Sequence, residues 1–403
     1  MRRPRRGPGA PAARSQGTAR VSAEAQGARG SFFEVLSTFL RLGVLAFGGP
    51  VAHIAMMEDE YVRRRNWLSS ESFSRALAAT NLVPGPNSTE MAIHLGHRRK
   101  GFAGGLLSGF AFIVPAAIMV GVLSWAYFEW GTTPRVEDFL IGIRPAIVVL
   151  VALAAWRLRR PALRGPMPMA LAAAAFVVAV LAAPWVLFVL LGAGVLALLV
   201  RWAGWTRLLA ALPAMPIAPH GFQMVAWNTP DALAIALIHL KTGALLFGGG
   251  YVMIPLLQPD AVAQGWVTDS QFLDGIAIGQ STPGPIVTTA TFVGYAAAGW
   301  WGAALATVAV FAPAFVFAMS LGTVLDRLSD SPNATAFLDA VAAAVFGAIA
   351  GAALVLLLEL ELDVLNVVLV VASGVVLLRG WVPSYAWLAA AGAAGLAYGA
   401  VVA

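Results

Sequence analysis

Stretches of this chain at about 32–57, 102–128, 139–156, 167–183, 186–200, 232–257, 301–325, 337–358, 364–378 and 385–403 are apolar over lengths that can cross a hydrocarbon core of roughly 30 Å as helices. Inside lipid only α-helices and closed β-barrels satisfy their own backbone hydrogen bonds. The runs here are continuous and rich in Ala, Leu and Val, unlike the alternating segments of about ten residues that build a barrel. The expected fold class is therefore all-α, a polytopic integral membrane bundle whose surroundings are a lipid bilayer. Charge content agrees: 11% of the 403 residues are charged, against about 25% in a soluble domain.

The formal charge of +6 comes from the first 30 residues, which hold seven arginines against the single Glu24; the remaining residues are balanced. Residues 1–31 read as a disordered Arg-rich tail, because they lack the apolar stretch and small-residue cleavage site of a targeting segment. A basic balance confined to such a tail gives no reason to invoke nucleic acid. The chain has no cysteine, which excludes disulfides and thiolate metal sites. No metal or cofactor is expected.

An internal repeat is the next constraint. Phe47-Gly48-Gly49-Pro50 returns as Phe247-Gly248-Gly249-Gly250 at an offset of 200, and Pro84-Gly85-Pro86 as Pro283-Gly284-Pro285 at 199. Gly101, Gly104 and Pro115 return as Gly299, Gly302 and Pro313 at 198. Residues 32–160 and 232–358 are thus two copies of one unit, with a linker of two further helices at 161–231, including a Pro-rich loop at 213–230, and C-terminal helices at 359–403.

The copies differ in loop charge. Copy one carries Arg63-Arg64-Arg65 before its Pro-Gly-Pro and Arg98-Arg99-Lys100 after it, where copy two has Ala261–Ala263 and Ala296–Ala298. Cytoplasmic loops collect Lys and Arg, so the matching loops are expected on opposite faces, as in the inverted repeats of secondary transporters. Two Arg clusters on one face make 70–97 a hairpin that enters and leaves by the same side. The basic tail then leaves two alternatives: either 32–57 also doubles back at Gly48-Gly49, or the tail lies outside against the rule.

Helix breakers within apolar segments survive only where they line a cavity or are buried in protein, and breaks at matched positions in two halves point to a binding site. Helices restarting at Pro50, and after Pro86 with Asn87, Ser88 and Thr89, would aim positive ends at an anion; Thr288 and Thr289 would offer hydroxyls after Pro285. Packed, kinked helices are the plainer alternative. Six residues before each Phe-Gly-Gly stands a cation, Arg41 or Lys241, and charge at such depth costs about 2.5–3.5 kcal/mol on insertion scales. An anionic substrate explains the pair; snorkelling or ion pairing is the alternative. Glu90 and His94 share a helical face at i, i+4 and are candidates for proton coupling, with His53 a third; Glu90 could instead neutralise a buried cation. Arg144, before Pro145 inside a span and without a basic counterpart at Ala342, is a further possible site residue. The commoner ATPase and hydrolase motifs do not occur, so a transporter is expected ahead of a passive anion channel or an enzyme.

With these motifs and the run Leu82-Val83-Pro84-Gly85-Pro86-Asn87-Ser88-Thr89, the sequence resembles the chromate ion transporter (CHR, ChrA-like) family in its duplicated form, over about 32–380. The resemblance implies a prokaryotic inner-membrane protein that exports chromate, confers chromate resistance and is coupled to protons. Its partners would be chromate or a related oxyanion such as sulfate, and protons, with a second copy of the chain as a candidate homodimer partner.

Overall fold

The computed structural model describes residues 31–203 and 231–402, apart from Gly48, Asn81, Leu82, Thr132, Arg164, Ser329, Asp330 and Leu362. The Arg-rich tail up to residue 30 and the Pro-rich loop lie outside the described residues. Among the described residues the chain is helical, without strands. Copy one supplies α1 (Phe32–Leu45), α2 (Gly49–Glu58, prolonged by a π-helical turn Asp59–Arg64), α3 (Ser70–Thr80), α4 (Asn87–Trp130) and α5 (Pro134–Ala162), followed by α6 (Pro166–Leu181) and α7 (Val186–Ala203). Copy two supplies α8 (Asp231–Ala244), α9 (Met253–Ala263), α10 (Asp269–Ser281), α11 (Thr289–Leu328) and α12 (Pro332–Leu358), followed by α13 (Val364–Arg379) and α14 (Ser384–Val402). The correspondence runs past residues 160 and 358: α6 and α13 begin and end 198 residues apart, and so do the starts of α7 and α14.

Local chemistry sets the ends. Ser31 caps α1 through Phe33 N at 3.2 Å, Thr268 and Gln271 form a reciprocal capping box on α10, and Pro134 and Pro332 open α5 and α12, where the missing N–H costs nothing. Within α4 the backbone leaves helical geometry at Lys100 and Gly101, and within α11 at Ala298 and Gly299. Both glycines have φ near +60° with strongly negative ψ, a region that only glycine enters cheaply. The chain folds back there: Gly96 meets Gly104, and Gly294 meets Gly302, with no room for a Cβ between them. Each long helix is thus an inner arm, 87–99 or 289–297, and a spanning arm, 102–130 or 300–328.

The run at 32–57 does not cross the membrane as a single span. Glu34 pairs with Arg65 at 2.9 Å, the Phe39 and Tyr61 rings lie 5.6 Å apart, and Ala46 O accepts from His53 at 2.9 Å. These pairs step inward toward Gly49, so α1 and α2 are two arms of a re-entrant hairpin. Lys241 with Asp260 and His239 with Trp266 do the same for 232–257. The breaks reverse the chain because Gly49, Gly248 and Gly249 hold positive φ. Of the two alternatives left by the tail's charge, the first holds: the chain doubles back, and the start of α1 stands at the same end as Arg65 and Arg99, both within 3.6 Å of Glu34.

Among the described residues five helices are long and apolar enough to cross a membrane, namely Asn87–Trp130, Pro134–Arg160, Ala183–Trp202, Ile286–Ser320 and Pro332–Leu358, and shorter apolar helices include α6 and α13. The molecule is a multi-pass membrane protein. The spanning arms of α4 and α11 pack antiparallel: Gly105 lies against Met319, Phe110 against Phe315 at 5.1 Å, and Gly121 against Trp300. Outside this pair the copies exchange helices. The Phe337 ring of α12 fills the space left by Gly194 of α7, and the Phe139 ring of α5 fills that left by Gly392 of α14. Gly347 of α12 lies on the α6 backbone at Ala172. Small residues let membrane helices approach closely, which gives dispersion where the hydrophobic effect gives nothing.

Candidate functional site

The two Pro-Gly-Pro tips meet the middle of the spanning pair. Gly284 abuts Ala116, the central residue of 102–130, about 21 Å from either end at 1.5 Å per residue. Val83 packs with Ala314 and Ala318 of the other spanning arm. Each tip is also tied to the other copy's first break: Gly85 N donates to Leu246 O at 3.2 Å, and Gly284 N donates to Ala46 O at 3.0 Å. Broken backbone away from lipid still needs partners for its polar groups, and at these two bonds the copies supply them to each other. Gly49, Pro50, Pro84, Pro86, Gly248, Gly249, Gly250, Pro283 and Pro285 all belong to these four breaks; Gly48 lies outside the described residues.

The side chains at the crossing are not symmetric. In copy one α4 starts at Asn87 without a side-chain cap, while Thr89 N and Glu90 N reach back to Pro86 O at 2.7 and 3.0 Å. Ser88, Thr89 and Glu90 are buried. Thr89 Oγ1 and both carboxyl oxygens of Glu90 find no hydrogen-bond partner among the described residues. The Glu90 carboxyl stands against the Gly85 backbone, in the space a side chain there would take, so the glycine makes room for the acid. His94 follows one turn along the same helix, half buried. His53 Nε2 donates to Ala46 O, and its Nδ1 is buried without a partner among the described residues.

Copy two closes the same positions. Ile286–Thr288 is a turn of 3-10 helix, Thr288 Oγ1 donates to Pro285 O at 2.8 Å, and Thr289 Oγ1 donates to Ile286 O at 2.9 Å. The hydroxyls expected to face an anion are thus engaged by their own turn. The expectation of two open intramembrane cations also changes. Lys241 is paired with buried Asp260, whereas Arg41 is exposed and in no ion pair among the described residues. Glu60, which occupies Asp260's place in copy one, is held by Arg65 at 2.6 Å.

The sequence reading missed Asp274, an acid buried in α10. It accepts from Arg144 Nε and Nη2 at 2.9 and 2.8 Å and from the Tyr127 hydroxyl at 2.9 Å. A lone acid in the apolar run Phe272–Ile278 was the available signal. Among the described residues no group of three or more His, Asp or Glu side chains could hold a metal ion.

Paired breaks crossing at the middle of a helical bundle define a duplicated membrane protein whose broken backbone segments meet at mid-depth. The family model for the chromate transporter matches residues 33–198 and again 233–396. Similar curated proteins are the chromate transport protein of Pseudomonas aeruginosa, 37% identical over 79% of this chain and 79% of its own length, and that of Cupriavidus metallidurans, 32% identical over 86% and 88%. A probable chromate transport protein of Synechococcus elongatus is 31% identical over 81% of this chain and 84% of its own length. No solved structure matches. The chain belongs to the chromate transporter family.

Proposed function

We propose that the protein is a secondary transporter that exports chromate across the cytoplasmic membrane of a prokaryote, with proton coupling at Glu90, and so confers chromate resistance. The two copies act as inverted repeats, a reading supported by the antiparallel packing of equivalent spanning arms and the reciprocal bonds Gly85 to Leu246 and Gly284 to Ala46. The observation that carries the proposal is the set of unmet polar groups in copy one, at Thr89 and Glu90 beside its Pro-Gly-Pro and at His53 beside its Phe-Gly-Gly-Pro break.

A tetrahedral dianion at this crossing meets the uncapped start of α4, whose amides favour negative charge. Asn87, Ser88 and Thr89 supply donors, and Arg41 supplies charge on the approach along α1. An ionised Glu90 opposes a dianion bound at the same helix start, and a protonated Glu90 does not. Proton and oxyanion occupancy are thereby linked: the protonated site loads, and the deprotonated site releases. A membrane potential negative inside drives the net charge of −1 carried by the dianion and its proton outward by about 2.3 kcal/mol per 100 mV, so the acid has to time loading rather than supply the whole driving force.

The test is uptake of labelled chromate and labelled sulfate into inverted membrane vesicles, with and without a pH gradient. Saturable chromate uptake that responds to the gradient is expected. Flux that never saturates makes the protein a channel, and preference for sulfate reassigns the substrate.

A further inference from the structure

The Tyr127–Asp274–Arg144 cluster is a buried charged group for which oxyanion binding at mid-depth has no use. It joins the copies, with Tyr127 on α4 and Arg144 on α5 from copy one and Asp274 on α10 from copy two. It has no symmetric equivalent: Ala342 stands at the place of Arg144, and Arg75, at the place of Asp274, is exposed and paired with Glu71. A buried ion pair is weak evidence for stability, because desolvation offsets its attraction. Packing alone therefore gives little reason for three polar groups here.

The donor set has a definite shape. A guanidinium fork and a phenol hydroxyl converge on one anion with three hydrogen bonds, an arrangement suited to carboxylate and to tetrahedral oxyanions alike. Arg144 and Tyr127 line a cavity of about 220 Å³, and Arg144 also lines a second of about 740 Å³. The second cavity carries six acidic residues, Glu137, Asp138, Asp269, Glu359, Glu361 and Asp363, and Arg144 is the single cation among its lining residues. Asp274 lies on α10, which ends at Ser281 three residues before Gly284, so a shift of α10 together with the second hairpin tip carries the carboxylate with it.

We infer that Arg144 and Tyr127 form a second oxyanion station, beside the acidic cavity and apart from the crossing, and that Asp274 occupies it as a tethered anion in this conformation. The inference rests on oxyanion transport as proposed above. When the second hairpin shifts, the carboxylate leaves and the travelling oxyanion takes its three donors; when the hairpin returns, Asp274 displaces the ion into the acidic cavity. The carboxylates there repel a dianion and favour its passage to water, while Asp274, back on the three donors, blocks its return to the station.

The experiment counts labelled chromate bound per purified full-length chain. The unaltered protein is expected to bind one ion, Asp274→Asn two, and the double variant Asp274→Asn with Arg144→Gln one again. A single ion in both the unaltered protein and Asp274→Asn overturns the station and leaves the mid-depth site standing, whereas no ion bound by the unaltered protein defeats the transport reading first. Should Asp274→Asn fail to fold, Tyr127→Phe keeps the ion pair and removes one donor. Its apparent chromate affinity is expected to fall several-fold when the ion is presented from the end carrying Glu137 and to stay unchanged from the end carrying Arg99. Equal affinity from both ends overturns the proposal.

Discussion

In copy two, Lys241 closes on Asp260, Thr288 and Thr289 donate into their own turn, and Met253 stands where copy one has His53. In copy one, Arg41 is exposed, Glu60 is held by Arg65 instead, and Thr38, His53, Tyr61, Thr89, Glu90 and His97 bury polar atoms without partners among the described residues. Copy two leaves His239 and Asn366 in that condition. Buried polar groups are as a rule hydrogen-bonded, so the contrast teaches that a duplicated fold has divided its labour. Copy two closes its polar side chains on partners of its own, and copy one leaves side chains open, as the proposed proton and oxyanion binding requires.

The comparison breaks outright if the copies face the same way. Single cysteines at Arg99 and Ala297, introduced into this cysteine-free chain, are expected to be labelled from opposite sides of the membrane; labelling from one side excludes inverted copies. Next in size is the pair of cations. Lys241→Ala leaves the Asp260 carboxylate buried and unpaired, a loss of about 3–5 kcal/mol, read as a fall in melting temperature and in folded yield. Arg41→Gln should leave both intact while abolishing chromate transport, and normal transport in that variant would remove Arg41 from the site. Gly101→Ala and Gly299→Ala should each cost about 1–3 kcal/mol, and equally, because both hold the same positive φ; a clear inequality in thermal unfolding would mean that the two folds back differ in weight. The smallest effect belongs to His53→Met, which copies the residue of copy two. Losing one hydrogen bond to Ala46 O, which keeps Gly284 N, is expected to cost about 1 kcal/mol.

Fold class, repeat and breaks were legible because each leaves a mark in one dimension: apolar length, a recurring offset, and Gly or Pro where helices should continue. The direction of 32–57 was legible only as a choice between two routes, since doubling back depends on Glu34 reaching Arg65 and Arg99 across folded distance. The extent of the repeat beyond residues 160 and 358 was hidden because α6 and α13 keep their positions without keeping a motif. At the site, spacing placed Glu90 beside the helix start but could not show that Lys241 finds Asp260, or that Arg144 and Tyr127 find Asp274, because pairing across 19, 130 and 147 residues leaves no local pattern.

Glu90 is the proposed point where proton and oxyanion meet, and the most direct measurement is chromate movement by Glu90→Gln protein reconstituted in liposomes, beside the unaltered protein. Exchange of chromate at equal pH is predicted to persist in the variant, because the breaks and the donors of α4 remain. Accumulation in response to an imposed pH gradient is predicted to vanish. If Glu90→Gln liposomes still concentrate chromate under that gradient, coupling resides elsewhere, and the open polar groups of copy one have another purpose.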